Sequence, residues 1–452
     1  MLKPLFTVSL LLAFALPAAA QETIVVYFQK GFYPAEDKAV DDLVEKFTKK
    51  TGVKVELSRY APQEMIPKTV AALDSGSPPD MVYGDVFDFQ VAGKWAFEGR
   101  LEDLSDILTP MKGRFLPNTL ETTFMYNDKE KKRAYYAFPV KRQTMHIQNW
   151  KDMLADAGFK ESDIPKTWKA YWDFWCGPVQ QGYRKKTGKR VYTVGSPMGV
   201  DSSDAFFSFL TFMDGYNVRL VNDDGKLNLG KDTRAGLINA VRDYTATIGK
   251  GCTPPSAINW KDPDNNVAFH NKTIVMTHNA TISIAAKWLD DMNNDKLKPE
   301  ERAQAKTNYE KLIATGGFPN KPDGKPFQYR SAVKIGVVFN NAKNKKRGKE
   351  LAAFLMQPEN LDPYVEGALG RWYPVTKSGA SSKFWTEDPH RKIVHDQFSA
   401  GTVTFEFTKN WKFTILNNEN VWAKAMSRVV TDKWPVEKAV DEMIARIKEV
   451  AG

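Results

Sequence analysis

Residues Tyr135–Trp168 read YYAFPVKRQTMHIQNWKDMLADAGFKESDIPKTW. The apolar run Tyr135–Phe138 reaches Pro139, which fixes its own φ and cannot donate to a central ladder. After a short polar step, Thr144, His146 and Gln148 alternate with Met145 and Ile147, the period of a second extended segment. Asn149 is expected to start a helix, with Trp150, Met153, Leu154 and Ala157 on one face and Gly158 as its stop. Pro165-Lys166-Thr167-Trp168 opens the next helix. A strand interrupted by proline and polar residues, then resumed, suits a chain passing from one domain to another.

Upstream, the run TIVVYF from Thr23 is a short buried strand. Glu36–Lys50 is an amphipathic helix with Val40, Leu43, Val44 and Phe47 on one face and Gly52 at its end. Val53, Val55 and Leu57 alternate as a strand, Met65–Leu73 repeats the helical pattern, and Asp80–Asp85 gives a third strand and loop. Strand, helix, strand, helix implies parallel βαβ units. In open α/β sheets ligands sit beyond the carboxyl ends of strands. Phe32 and Tyr33 are therefore candidate pocket residues.

Downstream, Trp168, Tyr171, Trp172, Phe174 and Trp175 have the three-and-four spacing of a core helix face. Gly182–Arg190 reads as an exposed loop, Asp204–Met213 as an apolar helix and Thr233–Ile248 as another. Val333–Phe339 is a strand, Lys349–Met356 a helix, and Phe413–Lys448 supplies closing helices.

Several blocks in this order carry a resemblance. The crossing stretch, the Pro-Asp strand before Asp85 with Gly99-Arg100-Leu101-Glu102-Asp103-Leu104 after it, the segment Val267–Ala286, and Gly370-Arg371-Trp372-Tyr373-Pro374 together resemble family 1 extracellular solute-binding proteins. These are the sugar-capturing components of ATP-driven importers, with maltodextrin-binding protein the best-known relative. The resemblance implies an α/β, two-lobed periplasmic binding protein fold, each lobe a sheet flanked by helices, joined by a multi-strand hinge. It places one lobe at 21–140 plus 325–385 and the other at 141–324 plus 386–452. It implies a monomer that delivers a carbohydrate or polyol-type solute to inner-membrane ABC permease subunits, with no catalysis, no cofactor and no nucleic acid.

The implied ligand-binding set is Tyr33, Asp85, Arg142, Gln143, Asn279, Arg371 and Trp372. Asp85 would accept sugar hydroxyls, and charged hydrogen bonds of that kind are about twice as strong as neutral ones. Its position equally suits a helix N-cap. Gln143 stands where some relatives carry a carboxylate. Asn279 matches the family's Asn-Gly-Pro-Trp, but Ala280-Thr281-Ile282 replaces the rest, so no tryptophan stacks from there. Arg371 would clamp a hydroxyl or acidic group bidentately, and Trp372 would stack on a ring. With Lys141 and Arg142 added, the expected cleft is more basic than acidic, which suggests tolerance for an anionic group on the sugar.

Compartment follows from the N-terminus. Lys3, the apolar run Leu5–Leu16 and Ala18-Ala19-Ala20 form a signal peptide over residues 1–20, too short to span a membrane, and imply a periplasmic protein. The two cysteines of the chain, Cys176 and Cys252, permit a disulfide in an exported protein, two buried thiols being the other reading. The net charge of +10 is concentrated in Lys129–Arg133, Arg184–Arg190 and Lys343–Lys349. None of these runs has interleaved aromatics for base stacking, so solvated loops explain them.

Enzyme readings fare worse. The five histidines form no H-E-x-x-H. Ser331-Ala332-Val333-Lys334 and Lys186-Thr187-Gly188 mimic the motifs of penicillin-recognising enzymes, but in reversed order and with the serine leading into a strand. A secreted carbohydrate-active hydrolase is the alternative, because its Asp/Glu pair has no sequence signature.

Overall fold

The computed structural model describes residues 21–452; the expected signal peptide lies outside the described residues. Twelve strands follow in chain order: β1 (Thr23–Gln29), β2 (Lys54–Tyr60), β3 (Met81–Gly84), β4 (Phe124–Asn127), β5 (Lys132–Tyr135), β6 (Phe138–Gln143), β7 (His146–Trp150), β8 (Tyr192–Gly195), β9 (Ile274–Asn279), β10 (Ile313–Gly316), β11 (Ala332–Val337) and β12 (Tyr373–Pro374). They form a six-stranded sheet ordered β12-β6-β11-β3-β1-β2, a four-stranded sheet ordered β10-β7-β9-β8, and the hairpin β4-β5. β1 runs parallel to β2 and β3, with helices Pro34–Thr51 and Pro62–Asp74 as crossovers. Apolar residues at alternate positions of β1 and at helical spacing on Pro34–Thr51 turn to a shared core.

Only Thr144 and Met145 separate β6, in the first sheet, from β7, in the second. The chain returns to the first sheet between β10 and β11, and goes back after β12 through helix Pro389–Ser399, which packs on β10. This is the two-lobed α/β architecture. The lobes are also tied by helix Phe413–Asn418, which packs on Phe87–Gln90 of the first lobe and on the C-terminal helix Val436–Ala451.

Two local expectations are corrected. Asn149 and Trp150 do not open a helix: they complete β7, and the helix is Lys151–Asp156. Asn149 pairs with Met276 on one side and Ala314 on the other, so ladder hydrogen bonds override its capping preference. Gly182–Arg190 is not a loop: helix Gln180–Thr187 runs through most of it and ends on Gly188 at φ 68°. That helix has no fully buried residue, so no apolar stripe announced it.

The pairing of β6 with β11 sets up the site. Lys334 lies opposite Lys141, but Ile335 lies opposite Pro139, so the register shifts by one residue at Val140. Proline offers no N–H to the ladder at this point. Phe138 lies flat over Gly336, where an added Cβ would sit 2.1 Å from its ring.

The aromatic helix is core as expected, with Trp168, Tyr171, Trp172, Phe174 and Trp175 all buried. Just beyond it Cys176 is bonded to Cys252, with Cα atoms 5.1 Å apart at a sequence separation of 76. Closing a loop of that length stabilises by about 4 kcal/mol in the chain-entropy model. Replacing both cysteines by serine should lower the denaturant midpoint accordingly, and reductant should do the same to the parent protein. An unchanged midpoint in both cases contradicts a stabilising bridge.

Candidate functional site

The carboxyl ends of β1 and β3, the strand β6 and the loop before β12 converge on one edge of the first sheet. Gln29, last in β1, holds Asp85 from two sides: its Nε2 donates to Oδ2 at 2.6 Å and its Oε1 accepts the Asp85 N–H at 2.8 Å. Tyr83 donates its hydroxyl to the other carboxylate oxygen. Glu36 folds back from the first turn of its helix and accepts the N–H groups of Phe32 at 2.7 Å and Tyr33 at 3.1 Å.

Uncharged donors thus hold both carboxylates, side chains at Asp85 and backbone N–H groups at Glu36. Lys141 Nζ then lies 3.3 Å from Asp85 and 3.7 Å from Glu36, and donates to Tyr364 at 3.0 Å. It also sits over the rings of Trp372, Tyr364 and Tyr83 at 4.3, 4.9 and 5.4 Å, the aromatic side of a cation–π cage. Arg371 Nη1 donates to Glu36 at 3.2 Å, and its guanidinium lies between the rings of Trp372 and Phe32 at 4.7 and 4.9 Å. Lys334, facing Lys141 across the strands, has its own partner: Asp88, at 3.3 and 3.4 Å.

Three acids (Glu36, Asp85, Asp88) thus face three bases (Lys141, Lys334, Arg371). Burial acts to raise the Asp85 carboxyl, but Lys141 and Arg371 outweigh it and hold it below the usual range. At Asp88 burial wins over Lys334 and pushes the carboxyl up to about 6. Burial also lowers Lys141, against the pull of Asp85 and Glu36.

The second lobe supplies a wall of amides and hydroxyls. Asn279 ends β9, donating to Asn266 Oδ1 at 2.5 Å and to Ser283 Oγ at 3.2 Å; Asn266 donates to the same serine at 2.9 Å. Helix Ser203–Gly215 starts at this wall, its end capped by the carboxylate of Asp262, which accepts the N–H groups of Ser203 at 3.0 Å and Asp204 at 3.1 Å. Asp204 meets the Asn265 side chain and the Ala280 N–H; burial and the adjacent Asp262 charge push its carboxyl well above the ordinary range, against the lowering influence of Arg371 across the cleft. The walls touch: Tyr33 donates its hydroxyl to the Ser283 carbonyl at 3.0 Å, and Phe89 stacks on Phe206 with centroids 4.9 Å apart.

Of the residues singled out from sequence, Tyr33, Asp85, Arg371 and Trp372 gather in one cluster, with Asn279 on the opposite wall. Gln143 lies farther along the crossing and lines a separate small cavity. Arg142 is not brought into the cluster. Side chains alternate along a strand, and its guanidinium donates to Ser331 Oγ and Thr402 Oγ1, both at 2.9 Å, beneath Phe398. The basic excess expected of the cleft is absorbed, since Lys141 and Arg371 are engaged by carboxylates. Glu36, Tyr364, Lys334 and Asp204 join the site without having been foreseen as ligand contacts. Glu36 and Asp204 each look like ordinary acids in a helix's first turn, and only the fold brings Arg371 near them. The Ser331–Lys334 motif is dissolved, since Ser331 accepts from Arg142 while Lys334 is held by Asp88.

The sequence profile described as "Bacterial extracellular solute-binding protein" matches residues 42–393, and the chain belongs to that family. Membership implies a location outside the cytoplasm. No curated protein matches the chain by sequence. Solved structures with the same fold include an ABC transporter solute-binding protein of Thermotoga lettingae bound with alpha-D-tagatose, at TM-score 0.74 and 18% identity over 95% of this chain and 100% of that one. A maltose-bound T. maritima MalE3 gives TM-score 0.71 and 16% identity over 94% and 99% of the two chains. A sugar transporter protein of Arthrobacter chlorophenolicus with bound laminaribiose gives 0.70 and 14% over 95% and 99%.

Two outcomes test the charge network. Lys141→Met leaves Asp85 and Glu36 buried with Arg371 as their remaining cation, and breaking such a pair should cost about 3–5 kcal/mol of stability; a loss below about 1 kcal/mol contradicts the network. Asp88 should shape the pH dependence. Its folded value of about 6 stands above the ordinary ~3.9, so the folded state binds this proton more tightly. The associated stability is fully present below about pH 4, is lost as pH rises to about 6, and stays lost above. Asp88→Asn should remove that decline, visible in denaturation midpoints measured from pH 4 to 7. Parallel wild-type and variant curves contradict the assignment.

Proposed function

We propose that the chain is a periplasmic capture protein that closes two lobes over a carbohydrate or polyol-type solute and presents it to the permease subunits of an ABC importer. In this reading residues 1–20 are a cleaved signal peptide and the mature protein acts as a monomer, without nucleic acid. The lobes comprise 21–140 plus 325–385 and 141–324 plus 386–452, with the pivot of the first crossing at Thr144-Met145. Family membership and the sugars bound by proteins of the same fold support the class of solute.

One observation carries the reading furthest. The cleft sets a charge-balanced, aromatic-lined wall (Asp85, Lys141, Arg371, Trp372) against a wall of Asn266, Asn279, Thr281 and Ser283. Aromatic faces for the ring and a few convergent polar groups for its hydroxyls are what a sugar requires. Because the cations are engaged and Asp262 occupies the helix end at Ser203, the arrangement favours a neutral solute over an anionic one. Glu36 and Asp85, each bound to a cation, suit hydroxyl recognition better than acid–base chemistry. The protein on this account binds and releases without turnover.

A thermal-unfolding panel of neutral sugars, polyols, sugar phosphates and uronates on the mature protein tests this. A ligand at a hundred times its Kd stabilises by about 2.7 kcal/mol. At least one neutral sugar or polyol should raise the melting temperature and be recovered unchanged. A panel in which none does so, or in which a member is converted, contradicts the proposal.

A further inference from the structure

At the turn between β6 and β7 a small, partly open cavity of about 10 Å³ is lined by Gln143, Thr144 and Arg330 together with Phe207, Ala280 and Phe405. All six side chains are buried. Among the described residues, Gln143 Nε2, Thr144 Oγ1 and Arg330 Nη2 are shut off from solvent and have no hydrogen-bond partner. Buried polar atoms are satisfied in the great majority of cases, so three orphans around one void call for a shared partner.

Their chemistry describes that partner. The amide and guanidinium nitrogens only donate, whereas the hydroxyl can donate or accept. One oxygen that accepts two N–H bonds and gives a proton to Thr144 satisfies all three, the usual count for a buried water. The volume fits a single such atom, which needs roughly 10–15 Å³. Charge argues against an anion. Arg330 already binds Asp214 at 2.7 and 2.9 Å and is also held by Glu406, so the surroundings carry no positive excess.

We propose that this cavity is a binding site for one neutral, hydrogen-bond-accepting oxygen. The oxygen joins the first crossing (Gln143-Thr144) to the return strand (Arg330) and touches the second lobe at Phe207 and Ala280. It is a water when the cleft is empty. In the complex it is either that same water or a hydroxyl of the solute, and only this last source rests on the capture reading.

High-resolution crystal structures of the protein without and with the best sugar of the panel test the site, alongside ¹⁷O relaxation dispersion in solution. One oxygen should stand within about 3.2 Å of all three atoms. Thr144→Val and Gln143→Leu, each checked for folding by circular dichroism, should each remove one long-lived water from the dispersion. If the oxygen belongs to the solute, both variants should also weaken its binding about tenfold. If it is water in both structures, they should leave binding within about threefold, and the site stands with water as its occupant. Absence of an ordered oxygen from both structures, or an anomalous bromide peak there in crystals grown with bromide, overturns the proposal. If no panel sugar binds, the capture reading fails while the water arm still decides the site.

Discussion

Two lysines facing each other in the interior of a sheet are a liability that the rest of the cleft is arranged to meet. Lys141 on β6 and Lys334 on β11 stand in register, both almost without solvent exposure. Like charges opposite each other on neighbouring strands destabilise a sheet, and an isolated buried ammonium is far more costly. Each is therefore met by its own aspartate from the segment after β3, Asp85 in the loop for Lys141 and Asp88 in the helical turn Phe87–Gln90 for Lys334. Asp85 is held by Gln29 from β1, and Glu36 by the backbone of the β1 loop. Arg371 reaches back from the loop before β12 to complete the balance. One electrostatic constraint thus ties together five segments distant in sequence at one end of the first sheet.

In the capture function we propose, the fixed partners of these side chains suit a binding wall. A carboxylate fixed by amide, phenol and ammonium presents its remaining lone pairs in a set direction, so a ligand hydroxyl need not order it on arrival. The opposite wall is built on different physics: small neutral groups at the end of β9 and at helix starts, held by side-chain hydrogen bonds among Asn266, Asn279 and Ser283. The two walls meet where Tyr33 donates to the Ser283 carbonyl and Phe89 stacks on Phe206, and Asn417 adds a hydrogen bond to the Phe89 carbonyl from helix Phe413–Asn418.

Much of the architecture was legible in sequence because it rests on local signals. The alternation of β1 and β2, the helical face of Val40, Leu43 and Phe47, and the proline at the first crossing each report a local environment. Legibility failed where distant partners decide. Asn149 looks like a helix start until β9 and β10 claim its backbone. Helix Gln180–Thr187 is solvated and shows no stripe. At the site, Tyr33, Asp85, Arg371 and Trp372 could be named because they lie at strand ends or in loops that resemble a known pattern. The sense of Arg142 could not, since a one-residue register shift at Val140 decides which faces of β6 its neighbours occupy. Nor could the neutralisation of Lys141 and Arg371, because their partners lie more than fifty residues away in sequence.

The cleft is self-neutralised, and in the function we propose it captures an uncharged polyhydroxyl solute and leaves it intact. Calorimetric titration of the best neutral sugar beside its own uronate, with the recovered ligand checked by NMR, addresses it most directly. One neutral sugar should bind per protein and be returned unchanged, with the uronate at least tenfold weaker. Tighter binding of the uronate, or a chemically altered sugar, would contradict it.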